Sequence, residues 1–220
     1  MAKKSDPQQI AIGLYLMSPA FDDAASFAKQ LESALGSADV ACVLIDIATS
    51  GAAKEIVQTL APIAQARGAA LLINGDTRMV ARAGADGFHL RAASDKLQQA
   101  IEETIASLKP DYIIGVGGLR SRDDAMTAGE QDVDYLLFGE PSADGWVAPL
   151  AERVERISWW SEIFNVPCVA YAASLDEVAP LAMAGADFVA LGAAVWSDPR
   201  GPDAAMRDAA TALQGVVRYA

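Results

Sequence analysis

Asp46, Asn74, Asp76, His89, Arg91, Gly117, Gly118, Arg120 and Trp146 are the residues whose types and surroundings could carry chemistry, and each lies at or shortly after the end of a short apolar run. Asp46 and Asp76 could share a divalent cation, because a hard cation such as Mg²⁺ takes carboxylate oxygens; they could equally cap the helices that follow. Gly117-Gly118 could let backbone approach a phosphate or simply make a tight turn. Arg91 and Arg120 suit an anion clamp, or rim ion pairs. His89, the only histidine, could exchange a proton near neutral pH or sit as a half-buried ring. Trp146 lies in a loop with Pro141 and Gly145 and could cover a flat ring. Thr49, Glu140, Ser142, Asp144, Tyr171, Ser174, Gly192, Ala193 and Trp196 occupy comparable positions. No nucleophile–base–acid arrangement, zinc spacing or P-loop is present in the sequence.

The apolar runs that must position these residues are Ile10–Met17, Val40–Ile47, Ala69–Asn74, Gly87–Leu90, Tyr112–Val116, Tyr135–Phe138, Cys168–Tyr171 and Phe188–Leu191. They are short and nearly continuous in apolar residues, the pattern of strands buried on both faces of a parallel sheet. Amphipathic, Ala-rich segments alternate with them. Asp22 and Asp23 open a helix over Phe21–Leu35 that Gly36 closes; Ser94 precedes one at Asp95–Leu108; Ser174 opens one to Ala184, with Pro180 costing it some regularity.

Ala83-Gly-Ala-Asp-Gly-Phe-His-Leu90 is echoed by Ala184-Gly-Ala-Asp-Phe-Val-Ala-Leu191 and, more weakly, by Asp132–Gly139. Repeated helix-to-strand junctions mark one supersecondary unit used many times. Alternation at about 27 residues per unit predicts a single (β/α)8 barrel over residues 10–220 behind a short tail, 1–9. Strand C-termini are the working face of such a barrel, so Asp86 and Asp187, at the other end, read as structural. The rival, an open doubly wound sheet, shares the alternation but normally shows a Gly-rich turn after the first strand, where Met17-Ser-Pro-Ala-Phe21 stands here.

Composition narrows the partners. The formal charge of -12 over 220 residues disfavours nucleic acid and anionic membrane surfaces. Cys42 and Cys168 sit in apolar runs and read as buried thiols. The N-terminus has no signal-peptide-like stretch and no run reaches membrane-spanning length, so a cytoplasmic location is expected. Trp159, Trp160 and Phe164 crowd one short helix, read as core or as the contact of a homo-oligomer.

Asn74 through Leu90, Ile114-Gly-Val116, Asp134-Tyr-Leu-Leu-Phe-Gly139, Pro167-Cys-Val-Ala170 and Ala184-Gly-Ala-Asp187 together resemble the thiamine-phosphate synthase family over nearly the whole chain. The resemblance implies a (β/α)8 barrel, Mg²⁺, phosphorylated heterocyclic substrates, and coupling of a pyrimidine pyrophosphate to a thiazole phosphate. It also exposes departures. The family's Gln-x-Arg-x-Lys stretch on strand two meets Cys42-Val-Leu-Ile-Asp-Ile47. The Asn-Asp metal pair reads Asn74-Gly75, with a carboxylate at Asp76, and the second metal Asp falls at Ser94 beside Asp95. The serine after strand five is Gly117, and the Thr-x-Thr-Lys loop reads Ser142-Ala-Asp-Gly-Trp146. The paired phosphate glycines are Ala172-Ala173, and Leu119 stands where the sister thiazole tautomerases would place a histidine.

The expectation is therefore a divergent family member in which the coupling is weak or absent. The alternative is a non-catalytic barrel that binds a phosphorylated heterocycle or acts through protein association. An aldolase or epimerase barrel is a further rival, against which the absence of a strand-end lysine counts.

Overall fold

Eight short strands, β1 (Gly13–Met17), β2 (Val40–Ile45), β3 (Ala70–Ile73), β4 (Gly87–Arg91), β5 (Ile113–Gly117), β6 (Tyr135–Phe138), β7 (Cys168–Ala172) and β8 (Phe188–Leu191), pair in parallel in chain order, and β8 returns to β1 to close a barrel. The computed structural model describes residues 11–47, 52–91 and 94–217. The expected tail 1–9, Ile10 and Thr49 lie outside the described residues. Around the barrel run α1 (Ala24–Leu35), α2 (Ala53–Gln65), α3 (Arg78–Ala83), α4 (Leu97–Leu108), α5 (Arg122–Gly129), α6 (Leu150–Ile163), α7 (Val178–Met183), α8 (Ala193–Trp196) and α9 (Pro202–Gln214). The last strand is thus followed by a short extra helix, α8, before the outer helix α9.

Alternation along the strands divides the core in two. Tyr15, Met17, Cys42, Leu44, Leu72, Tyr135, Leu137, Val169, Tyr171 and Ala190 fill the barrel interior. Their neighbours along each strand, such as Leu14, Val43, Leu71, Ile114 and Leu136, face the helices. Both faces are buried, which is why the strands read as continuous apolar runs.

The sequence echo has a physical cause. Asp86, Asp134 and Asp187, each just ahead of an even-numbered strand, accept through Oδ2 from the backbone N–H of Leu71, Ile114 and Cys168 at 2.7, 2.7 and 2.8 Å. Each carboxylate therefore ties the start of one strand to the start of the next, at the N-terminal end of the barrel.

Helix starts depart from the sequence reading. Asp23 caps α1, accepting from Ser26 N at 2.7 Å, so the helix begins at Ala24, and Phe21 instead stacks on Phe27 at 4.6 Å. Tight 3₁₀ turns at Ser94–Lys96 and Leu175–Glu177 precede α4 and α7. Ser174 makes no side-chain cap bond there. Pro180 falls on the third residue of α7, where no intrahelical N–H bond is required, so it costs α7 little.

Of the two readings of the aromatic cluster, the packing agrees with core. Trp160 is fully buried, stacks on Phe164 at 4.0 Å and donates its indole N–H to Val166 O at 2.8 Å. Phe164 lies one residue past α6 and folds back, and Trp159 packs edge-on to both rings. Arg122 covers the Trp159 ring at 4.8 Å. The chain turns at the end of α6, which lets three aromatics that one helical stripe cannot hold share one cluster, with Trp160 buried and Trp159 and Phe164 partly buried. Cys42 and Cys168 are both buried. No helix among the described residues is long and apolar enough to cross a membrane.

Candidate functional site

A cleft of about 430 Å³ opens at the strand C-termini. Met17, Leu44, Tyr171 and Trp196 give it apolar and aromatic walls, Ser18, Asn74 and Ser142 contribute polar groups, and Asp46 and Arg91 are its charged residues. Trp196 is held in place by donating to Met17 O at 2.6 Å. A larger cleft, about 650 Å³, lies at the opposite end among Ile12, Phe188, Leu213 and Val216 and has Asp39 as its charged residue. The strand-end cleft has the mixture of apolar wall and convergent polar groups that ligand sites show.

Below it, a chain of polar groups runs through the barrel interior. Tyr15 and Tyr135 share a hydrogen bond between their hydroxyls at 2.8 Å, and the Tyr135 hydroxyl meets His89 Nδ1 at 2.9 Å. His89 is fully buried, and its Nε2 lies 3.5 Å from Glu140 Oε2, an ion-pair distance that leaves the nitrogen with no hydrogen-bond partner. Glu140 in turn accepts from Arg91 Nη2 at 3.1 Å and Nε at 3.3 Å. Burial pushes the Glu140 carboxyl upward, but His89 and Arg91 outweigh it and hold the group below the usual carboxylate range. Burial raises both tyrosine hydroxyls well above their ordinary value, so they act as neutral hydrogen-bonding groups.

Two glycines make this network fit. A Cβ on Gly115 would run into the Tyr135 ring, and one on Gly117 would lie 2.6 Å from both Glu140 Oε1 and His89 Nε2. Gly117 is therefore not an open approach to backbone; the chain's own side chains fill that space. Gly118, with φ +72°, makes the turn that follows.

The structure thus brings Asp46, Asn74 and Arg91 together in the cleft and sets His89 beneath it. Gly118 and Arg120 stand exposed on the rim, and Arg120 N donates to Asp124 Oδ2 at 3.1 Å. Trp146 is also exposed; its loop reaches the cleft through Pro141, Ser142 and Ala143. Asp76 is turned to Arg78, accepting from its backbone N–H at 3.0 Å and its guanidinium at 2.8 Å, so it behaves as a cap. Asn74 Oδ1 accepts from Ile47 N at 2.8 Å. Among the described residues no three His, Cys, Asp or Glu side chains converge as a metal-binding group. Asp76 and Asn74 Oδ1 are committed elsewhere, so among the described residues these two donors as placed do not fit Mg²⁺ at the position the resemblance implied.

Tyr15, Tyr135, Arg153 and Glu177 carry no signal of their own in the sequence, and Glu140 is placed there only as a residue at a strand end. One signal was available: glycines two apart on one strand, Gly115 and Gly117, leave one face of that strand to bulky neighbours.

A closed parallel barrel with a cleft at its strand C-termini defines a (β/α)8 barrel. The sequence profile described as "Thiamine monophosphate synthase" matches residues 14–195, and the chain belongs to that family. The Rhodospirillum centenum protein named thiamine-phosphate synthase is 38% identical over 206 residues, 92% of this chain and 98% of the relative. The Hyphomonas neptunium protein of the same name is 35% identical, covering 88% and 90%. Among solved structures, thiamine phosphate pyrophosphorylase from Pyrococcus furiosus superposes with a TM-score of 0.73 over 92% of this chain and 96% of the other, at 20% identity.

Proposed function

We propose that the chain is a divergent, cytoplasmic member of the thiamine monophosphate synthase family that binds a heterocycle carrying a single phosphate in the strand-end cleft. In this reading it does not run the pyrophosphate-releasing coupling at an enzyme's rate. Met17, Leu44, Tyr171 and Trp196 would take the ring, Asn74 would address its polar edge, and Arg91 would meet the phosphate. Gly117, Gly118 and Arg120 stay outside the ligand's reach.

The observation that carries the proposal is the charge balance of the cleft. Among the described residues Arg91 is the lining cation, already ion-paired to Glu140, and Asp46 lines the same space. A pyrophosphate leaving group needs cations aimed at its developing charge, each worth on the order of 10²–10³ in rate. A single phosphate asks for less and can draw Arg91 partly away from Glu140. The donors that remain among the described residues would not hold Mg²⁺ in the family's manner.

Titration with a thiazole phosphate, followed by calorimetry, tests this. Binding is expected, weakened at least about tenfold in Arg91→Ala, the loss of one charge-assisted contact. No binding, or binding indifferent to Arg91, would refute it. A second reading, retention of the coupling itself, is favoured by the name that the relatives at 35–38% identity carry.

A further inference from the structure

His89 and Arg91 stand two residues apart on β4, so both project to one side of the strand. They differ in reach. The His89 side chain is fully buried, that of Glu140 is 6% exposed and that of Arg91 37%, so Arg91 is the member of the three that comes out to line the cleft. One carboxylate oxygen joins them. Glu140 Oε2 accepts from Arg91 Nη2 at 3.1 Å and Nε at 3.3 Å, while His89 Nε2 stands 3.5 Å from the same oxygen, too far for a good hydrogen bond. Among the described residues that nitrogen is the buried side-chain polar atom without a hydrogen-bond partner. Leaving such an atom unpaired costs stability, so its presence calls for a reason.

The surroundings leave the charge of the ring to its two neighbours. Behind it the Tyr135 hydroxyl meets Nδ1 at 2.9 Å and passes the contact to Tyr15. Burial keeps both hydroxyls, and the Cys42 thiol beside Tyr15, protonated and neutral. Asp134, which acts on Tyr135 from the other end of β6, is tied to Lys109 and to Ile114 N. Glu140 and Arg91 are therefore the charges that face the ring. While Arg91 is in place, Glu140 has its cation. An anion that draws Arg91 into the cleft leaves a nearly buried carboxylate without one, which is costly. A protonated Nε2 needs a closure of only roughly 0.6 Å to reach charge-assisted hydrogen-bond length, and Nδ1–H then donates to Tyr135. Gly117 keeps the space beside the pair clear, since a Cβ there would lie 2.6 Å from both His89 Nε2 and Glu140 Oε1.

We propose that His89 is a positioning residue that takes over Glu140 when an anionic ligand draws Arg91 into the cleft, its Nε2 binding a proton from solvent as it does so. Release of Arg91 is thereby linked to proton uptake, and the anion binds more tightly as pH falls. The ligand half of this rests on the reading above; the competition of Arg91 and His89 for Glu140 does not.

His89 is the only histidine, so the ring nitrogens of isotope-labelled protein report it alone by NMR. Without ligand, Arg91→Met is expected to raise the proton affinity of the ring at least about threefold over the parent, and Glu140→Gln to lower it by a similar factor. A ring indifferent to both substitutions would overturn the proposal. Calorimetry with thiazole phosphate, in two buffers of different ionisation heat at about pH 8 where the ester is already a dianion, counts the protons. Net uptake is expected in the parent and none in His89→Gln, whose amide bridges Tyr135 and Glu140 without taking a proton. If His89→Gln fails to fold, the ring nitrogens of the parent decide in its place, by becoming protonated as the ester is added. Binding without uptake, or uptake that survives in folded His89→Gln, would overturn the proposal. Failure of the ligand reading shows separately, as absent thiazole phosphate binding, and the ligand-free ring measurements then decide on His89.

Discussion

Replacing Asp86, Asp134 and Asp187 by alanine, singly and together, probes the repeat that builds the barrel. Each substitution removes the acceptor of one strand N–H at 2.7–2.8 Å. A hydrogen bond to a charged group contributes about 1.5–3 kcal/mol when lost. The three carboxylates are half-buried or exposed, so water reaches part of each freed N–H and the lower end applies, roughly 1.5 kcal/mol per site. Asp134 also loses its ion pair to Lys109, but at 41% side-chain exposure this adds little. The three sites are on separate strand pairs and share no partner, so their costs should add to about 4–5 kcal/mol. For a chain of this size each kcal/mol shifts the midpoint by about 2–4 °C, giving a drop of roughly 10–20 °C in the triple variant. Asparagine keeps an acceptor and should cost about half as much. Urea denaturation of the seven alanine combinations measures all of this. Single variants within 0.5 kcal/mol of the parent, or a triple no worse than the worst single, would refute the assignment of these aspartates as strand ties.

Trp160→Ala should cost about 3–5 kcal/mol, since it empties a fully buried site and leaves Val166 O without its donor; chemical denaturation reads the loss. Glu140→Gln should cost about 1–2 kcal/mol, discounted because the Arg91 side chain is 37% exposed and regains water. Its folded-state pKa is depressed, so the stabilisation is present above the unfolded carboxyl's pKa of about 4.3 and is lost as pH falls through the folded value. The gap between parent and Glu140→Gln should therefore be widest near neutral pH and close under acid, the other carboxylates cancelling in the difference; a constant gap would contradict the pairing.

The fold was legible because its signals are local and repeated. Continuous apolar runs report strands buried on two faces, and Ala-Gly-Ala-Asp marks a helix end, a turn and a tie within a few residues. The candidate site was legible only in part. Arg91, Asn74 and Asp46 were found because they sit at strand ends, and they do meet in the cleft. Their availability was not legible. Glu140 lies 49 residues from Arg91, and Glu177 lies 24 from Arg153, so the carboxylates that neutralise both cations are set by barrel closure and not by spacing along the chain. Gly117 was misread for the same reason: two glycines suggest open backbone, and only the packed structure shows His89 and Glu140 filling the space. The aromatic cluster at the end of α6 stayed ambiguous between core and interface because a helical wheel does not foresee the chain turning at Phe164.

The most direct test of the account is pyrophosphate release by the purified chain, in a coupled assay with Mg²⁺, hydroxymethylpyrimidine pyrophosphate and thiazole phosphate at saturation. A synthase of ordinary competence turns over at about 1–10³ per second. With Arg91, the cleft's lining cation among the described residues, paired to Glu140, the expected rate is at least about 10²–10³ lower than the bottom of that range. Turnover near about 1 per second, at the ordinary range, would contradict it.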